Sequence, residues 1–312
     1  MTKVPKVSVN LCCYNSARFL EETLASVFAQ NYTDYELVIV NDGSRDATDA
    51  IIKKHLAAGR PIVYLPQENA GLGASRNKAL AASSGEIIAI IDHDDVWEPR
   101  KLELLVPFFD RPGVSFVGSD ALMMDSQGRP LRRYSEGITL HRGRILRELF
   151  LCNFVPCAAA MMRRSAIAAA GGLFRPDFHI AEEYELFLRL AEQGEFDFSP
   201  EPLVRIRVHS NSAGWDFAQE RSELRKIYAQ FLTRHPELNA TLGRNLLAAK
   251  SAGFWVSPEL AAAFAGQGPA ALRAQALLLG TLSRLAPGAI DGLRSLKRAI
   301  QRRLIASRES GA

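Results

Sequence analysis

The residues Asp92-His93-Asp94-Asp95 follow the apolar run Ile87-Ile88-Ala89-Ile90-Ile91 and precede Trp97-Glu98-Pro99. A buried strand that ends in clustered carboxylates puts negative charge at the carboxyl edge of a sheet, where open α/β folds bind their ligands. Carboxylates this close repel one another unless a cation or a donor network compensates them. Mn²⁺ and Mg²⁺ prefer carboxylate oxygens and bridge readily to phosphates, so the segment points to a metal–diphosphate site. The competing reading is an Asp-rich turn in which Asp95 caps a helix beginning near Pro99.

Three further segments carry polar residues where strands end or helices begin. They are Cys12-Cys13-Tyr14-Asn15, Asn41-Asp42-Gly43-Ser44, and the stretch from Asn69 through Gly71, Gly73 and Arg76 to Asn77. Tyr14 offers a flat face for stacking a base. Asp42 can accept a hydrogen bond from a ring N–H, which suits a uracil- or thymine-like base. The Gly-containing segment opens a helix whose backbone N–H groups, with Arg76, can meet phosphate oxygens. Each segment taken singly also reads as an ordinary loop. In a parallel sheet the strand ends converge on one edge, and that convergence makes them a candidate site.

The elements that must position these residues alternate in type. Strands are expected at 7–12, 35–40, 62–65, 87–91 and 114–117, and helices at 19–28, 47–56, 71–82 and 100–109. This alternation predicts an α/β fold with a mainly parallel, Rossmann-like sheet and flanking helices. From Ser119 to Arg133 turns take over, with Asp125-Ser126-Gln127-Gly128 as a hairpin tip. Helices at 144–151, 164–170 and 181–193 follow, then strands at 196–198 and 203–208, and beyond about 220 an Ala/Leu/Arg-rich helical extension. The expected division is a catalytic domain over 1–215, with a nucleotide-binding half to about 118 and an acceptor half from 119, and a basic extension over 216–312.

Composition narrows the class. At 312 residues, 47% hydrophobic and 23% charged, the chain is of ordinary globular type. Its net charge of +4 hides a split: residues 221–312 hold 14 Lys+Arg against 5 Asp+Glu, and the preceding 220 hold 24 against 29. The four cysteines, Cys12, Cys13, Cys152 and Cys157, fit neither a zinc site nor a secreted disulfide framework, so a cytoplasmic home is expected. No signal peptide or membrane span is expected either. Near the end, Ile290, Leu293, Ile300 and Leu304 form an apolar helical stripe flanked by Arg294, Lys297, Arg298, Arg302 and Arg303. Such a helix either lies on an anionic membrane surface, at the inner face, or packs on the protein with a solvated basic face. Nucleic acid is not expected as a partner, because no aromatic platform accompanies the charges.

The order and spacing of these motifs over residues 6–212 resemble glycosyltransferase family 2. The resemblance rests on Tyr14-Asn15, Glu36-Leu37-Val38-Ile39-Val40-Asn41-Asp42-Gly43-Ser44, Asn69-Ala70-Gly71 and Ala74-Ser75-Arg76-Asn77. It continues through Ile91-Asp92-His93-Asp94-Asp95 with Trp97 and Pro99, Gly171-Gly172-Leu173-Phe174, Glu182-Glu183-Tyr184-Glu185-Leu186, and Arg207 with His209. It implies the GT-A fold and an inverting transfer from a UDP- or dTDP-sugar donor to a glycan or lipid-linked acceptor, with Mn²⁺ or Mg²⁺ as cofactor. By position, Cys12, Tyr14 and Asp42 would contact the base, with Asn15, Asn69, Gly71 and Arg76 in the nucleotide site. Asp92 would hold the ribose and metal region, Asp94 the metal, and Glu183 would be the base that deprotonates the acceptor. Arg207 and His209 would fall in the segment that closes over the diphosphate, with Asp95 and Glu182 as additional candidates. The family usually has Glu-Asp where this chain has Glu182-Glu183. The base is therefore Glu183 shifted slightly, or Glu182, unless both are surface charges at a helix start. The Gln-x-x-Arg-Trp segment of the processive synthases does not follow Glu183, so addition of one or a few sugars is expected.

Overall fold

The computed structural model describes residues 4–136, 138–151, 153–172, 174–209 and 217–238. The described chain runs β1 (Val7–Cys13), α1 (Leu20–Phe28), β2 (Tyr35–Asp42), α2 (Thr48–Ala57), β3 (Ile62–Gln67), α3 (Leu72–Ala82) and β4 (Ile87–Asp92). It continues with β5 (Val96–Trp97), α4 (Lys101–Leu105), β6 (Val114–Met124), β7 (Pro130–Arg133), α5 (Leu146–Leu151), β8 (Met161–Arg163) and α6 (Arg164–Ala169). Last come α7 (Glu182–Gln193), β9 (Glu195–Arg207) and α8 (Phe217–Arg234).

One sheet carries the strands in the order β3-β2-β1-β4-β8-β6-β9-β5, with β7 on β6. Its first half is parallel, as the alternation predicts: β3 on β2, β2 on β1, β1 on β4. The second half is mixed. β8 is antiparallel to both β4 and β6, β6 and β9 are parallel, and β5 and β7 are antiparallel edge pieces. The sheet is therefore less uniformly parallel than expected.

Strands buried on both faces need apolar residues at every position, and the two faces separate by the period of two. Val7, Val9, Leu11, Leu37, Ile39, Ile87, Ala89 and Ile91 pack into one core cluster with Leu20, Leu24 and Val27 of α1 and Ile52 of α2. Val38 and Val40 pack with Ala79 of α3, and Cys12 lies against them. Asn10, Cys12, Ile88, Ile90 and Asp92 line a small cavity with Arg76 and Leu80 of α3, Ile167 of α6 and Leu186 of α7. The face alternation thus carries Asp92 toward α3 and α7.

Two elements differ from expectation for local reasons. The helix expected over 100–109 is α4 followed by a 3₁₀ turn over Val106–Asp110. Pro107 lacks the N–H that an α-helical ladder needs there. The strands expected at 196–198 and 203–208 are one strand, β9, whose register against β6 shifts near Ser199–Pro202.

The chain divides into two compact units. One comprises residues through Met124, Gly128–Ile145 and Val155–Arg207; the other comprises Asp125–Gln127, Leu146–Phe154 and the described residues from Val208 on. α5 belongs to the second unit. Within that unit the Phe150 ring meets Tyr228 of α8 edge-on, centroids 5.3 Å apart. The basic stripe at 290–304, Cys152 and Leu173 lie outside the described residues.

Candidate active site

Register places the strand ends together. Cys12 pairs with Asp92 across β1 and β4, and Cys13 pairs with Asn41 across β1 and β2. Tyr14 and Asn15 therefore leave the sheet beside Asp42 and the acidic turn.

Asn15 adopts a left-handed conformation, φ 51°. Its Oδ1 accepts from the Arg45 N–H at 2.9 Å, and its own N–H donates to Ser44 Oγ at 3.0 Å. It stitches the first loop to the second and leaves the Tyr14 side chain half-exposed at that edge. Cys12 lies beneath, and burial pushes its thiol up to about 12.

Asp42 is buried. Its Oδ1 accepts from Gln67 Nε2 at 2.7 Å and the Ala70 N–H at 2.8 Å, and its Oδ2 accepts from the Gly71 N–H at 3.0 Å. The Asn69 amide donates to the Asp42 carbonyl at 3.1 Å. A carboxylate has about four acceptor positions, so one remains, on Oδ2. Gly71 takes φ 88° as it opens α3, and Gly43 packs so tightly that an added Cβ would lie 2.7 Å from the Asn69 nitrogen.

Arg76 is buried and lines the small cavity beside Asp92. It is 4% exposed. Its Nη2 donates to Asp92 Oδ1 at 3.0 Å and lies 3.5 Å from Cys157 Sγ. Its Nη1 reaches Glu182 Oε1 at 2.9 Å and Glu183 Oε1 at 2.5 Å. The Phe174 ring caps it at 5.4 Å, held in place by two hydrogen bonds with Asn77. One guanidinium thus joins β4, α3 and the start of α7, balancing three carboxylates with a single positive charge. Burial pushes Asp92 above the ordinary carboxylate value against the pull of Arg76, with Glu183 and Asp94 adding to the rise. Glu182 and Glu183 differ in access, with side chains 2% and 26% exposed. Burial also holds the Cys157 thiol well above its ordinary value, with the Glu183 charge adding to the rise.

The acidic turn is gripped from both sides. Thr23 Oγ1 donates to the carbonyls of His93 and Asp95 at 3.0 and 2.8 Å. The Arg207 backbone N–H donates to Asp95 Oδ1 at 2.8 Å, and its Nε donates to the Asp94 carbonyl at 2.8 Å. Arg207 also pairs with Glu22 and lies over the Phe19 ring at 4.5 Å. Asp95 is buried, and burial, with the Asp94 and Asp92 charges, raises its carboxyl well above the ordinary value. Asp95 therefore supports the turn from inside. Asp94 is part-exposed. Arg207 thus holds the turn through its backbone N–H and its side chain. His209 is buried in the second unit.

No group of three or more His, Cys, Asp or Glu side chains is preassembled to hold a metal among the described residues. The donor set still fits a hard cation: Mg²⁺ and Mn²⁺ are held by one or two carboxylates, with substrate phosphates and water completing the shell. Asp92 and Asp94 supply two carboxylates in a cluster with surplus negative charge.

Several residues of this arrangement carry no sequence signal. Cys157, Thr23, Glu22 and Phe19 reach the site through contacts far apart in the chain. Asn77 and Phe174 lie within the quoted motifs, but their spacing says nothing of their pairing.

The chain is similar to known proteins. The profile described as Glycosyl transferase family 2 matches residues 8–170, just over half of the chain. An uncharacterized glycosyltransferase of Rickettsia prowazekii is 26% identical over 239 residues, 74% of this chain and 72% of its own. TuaG of Bacillus subtilis, a glycosyltransferase named for teichuronic acid biosynthesis, is 29% identical over 214 residues, 67% of this chain and 81% of its own. Among solved structures, S. aureus TarS 1-349 in complex with UDP-GlcNAc superposes with TM-score 0.63 at 20% identity, covering 95% of this chain and 92% of TarS 1-349. The mannosyltransferase PcManGT of Pyrobaculum calidifontis, in complex with GDP-Man and Mn²⁺, gives 0.59 at 20% identity, covering 98% and 87%. The fold is of the GT-A type, and the chain belongs to glycosyltransferase family 2.

Proposed function

We propose that this glycosyltransferase is inverting and metal-assisted, and moves a sugar from a UDP- or dTDP-sugar to a hydroxyl of a glycan or lipid-linked acceptor. The observation that carries the reading is the pairing of Asp92 and Glu183 through Arg76. It sets a carboxylate for the diphosphate end of a donor beside a carboxylate for the acceptor end.

Glu183 is the base, because its carboxylate reaches solvent and that of Glu182 does not. Glu183 takes the proton of the acceptor hydroxyl. The acceptor oxygen bonds to the anomeric carbon from the face opposite the leaving group, and the electron pair of the breaking bond departs on the nucleoside diphosphate. Tyr14 stacks the base, and the remaining acceptor position of Asp42, with Cys12 nearby, meets its edge. Asn15, Asn69 and Gly71 shape the loops around it. Asp94, with Asp92, would hold the cation. A divalent cation bound there offsets the charge that gathers on the departing diphosphate. UDP-GlcNAc in TarS and Mn²⁺ in PcManGT support the donor and metal classes.

The name of TuaG supports a role in surface polysaccharide or glycoconjugate synthesis. No helix among the described residues is long and apolar enough to cross a membrane. We assign contact with a lipid-linked acceptor at the inner face of the membrane to the basic stripe at 290–304, and addition of one or a few sugars to the enzyme.

Calorimetry with UDP tests the reading on the wild type and Asp94→Ala, in Mn²⁺ and then in EDTA. Metal-dependent binding lost in the variant is expected. Silence of UDP, GDP and dTDP in both conditions would leave a nucleotide-sugar fold without the activity.

A further inference from the structure

We propose that Arg76 is a positioning residue, which fixes the Glu183 carboxylate for proton abstraction, and that it is not a ligand of the donor phosphates. The inference rests on the glycosyl-transfer reading above and deepens it.

Three observations lead here. First, both terminal nitrogens of Arg76 are already engaged. Nη1 is shared by Glu182 and Glu183, and Nη2 is shared by Asp92 and Cys157. A phosphate arriving at this guanidinium would have to displace a carboxylate from a residue 4% exposed. Second, Arg76 of α3 bridges carboxylates of two other elements, β4 and α7. The planar fork of an arginine spans them with a fixed geometry that a lysine ammonium lacks.

Third, the base is a glutamate. It has one more rotatable bond than the aspartate of the usual family pattern and therefore more ways to miss the acceptor hydroxyl. A misplacement of about 1 Å at a reacting group can cost about a hundredfold in rate. Here one Glu183 oxygen sits 2.5 Å from Arg76 Nη1, and Cys157 Sγ lies 3.5 Å from Nη2 of the same guanidinium. The side chain remains 26% exposed. The longer side chain is anchored at its tip while one edge still reaches the acceptor side.

The experiment combines UDP–Mn²⁺ calorimetry with turnover of the UDP-hexose that the wild type hydrolyses fastest in a donor panel, for Arg76→Met, Arg76→Lys, Glu183→Gln, the Arg76→Met/Glu183→Gln double variant and Cys157→Ala. The expected result is UDP affinity within about threefold of wild type in Arg76→Met, with turnover down about a hundredfold. Arg76→Lys recovers part of the loss. The double variant is no slower than Glu183→Gln, because the two residues act as one unit. Cys157→Ala slows turnover several-fold at unchanged UDP affinity and stays informative if Arg76→Met does not fold. A loss of UDP affinity of about tenfold or more in a folded Arg76 variant, or additive losses in the double variant, would overturn the inference alone. A wild type that neither binds UDP nor turns over any donor would overturn the glycosyl-transfer reading and this inference with it.

Discussion

Arg207 Nε donates to the backbone carbonyl of Asp94 at 2.8 Å, so the last residue of β9 holds the turn that carries the proposed metal ligand. The same arginine also donates its backbone N–H to Asp95 and is itself fixed by Glu22 and the Phe19 ring. Substituting it should disturb the turn without removing any proposed metal ligand. Arg207→Lys is expected to weaken Mn²⁺-dependent UDP binding by about tenfold, roughly the worth of one charge-assisted hydrogen bond. Binding in EDTA should not change. Titration calorimetry in the two conditions checks this, and an equal loss in both would detach Arg207 from the metal turn.

Lys101 is fully buried, its Nζ 4.0 Å from the Trp97 ring centroid and without a hydrogen-bond partner among the described residues. Burial lowers its ammonium to about 7, whereas an unfolded lysine titrates near 10.4. Between those values the unfolded chain binds more protons, so this group makes stability rise with pH across that window and leaves it flat below. Lys101→Met should stabilise the protein at pH 7 by on the order of 2 kcal/mol, less what the cation–π contact contributes. The gain should vanish above about pH 10. Urea unfolding of the two proteins at pH 6.5, 8 and 9.5 gives the comparison. A variant destabilised equally at every pH would assign Lys101 to packing alone.

Gly43 occupies a left-handed conformation, φ 71°, and an added Cβ would lie 2.7 Å from the Asn69 nitrogen. Gly43→Ala strains the backbone by about 1–3 kcal/mol and pushes the 69–71 loop off the Asp42 carboxylate. A lower thermal midpoint and weaker UDP binding should appear together. Gly59→Ala serves as the control: its φ is 76°, and nothing lies within 4 Å of the added Cβ. It should lower the midpoint alone.

Thiol chemistry should be slow in the folded protein. Burial holds Cys12 at about 12 and raises Cys13 and Cys157 still further from the ordinary range. The thiolate is the reactive form. Iodoacetamide at pH 8 should leave these three unmodified under native conditions and modify them in urea, as intact-protein and peptide mass spectrometry would record. Rapid native alkylation of Cys12 would mean that the cleft beside Tyr14 is wetter than its packing implies.

The parallel half of the sheet is legible because its strands are short apolar runs closed by turn residues, as at Val7–Cys13, Tyr35–Asp42 and Ile87–Asp92. The same punctuation makes the strand-end residues recognisable as site candidates. β8 escapes notice because Met161–Arg163 lies within a longer apolar stretch that no turn residue breaks. β9 is hidden by Ser199-Pro200-Glu201-Pro202, a sequence that looks like a break and is absorbed as a register shift. The partners of Arg76 are illegible for a different reason. Glu182 lies 106 residues away and Cys157 lies 81 away, and no local pattern records a contact made only by the folded sheet. The fold joins Arg76 to carboxylates of β4 and α7.

The pairing of Cys12 with Asp92 and Cys13 with Asn41 also bears on how such a chain can diverge. Residue types at the carboxyl edge can be exchanged one at a time, each exchange tuning which donor is held. The count of residues along β1 has no such freedom, because a one-residue insertion would turn every following side chain to the opposite face. Length changes are expected at exposed turns, such as residues 58–60, so drift in the core of this enzyme should proceed by substitution and drift at its rim by insertion.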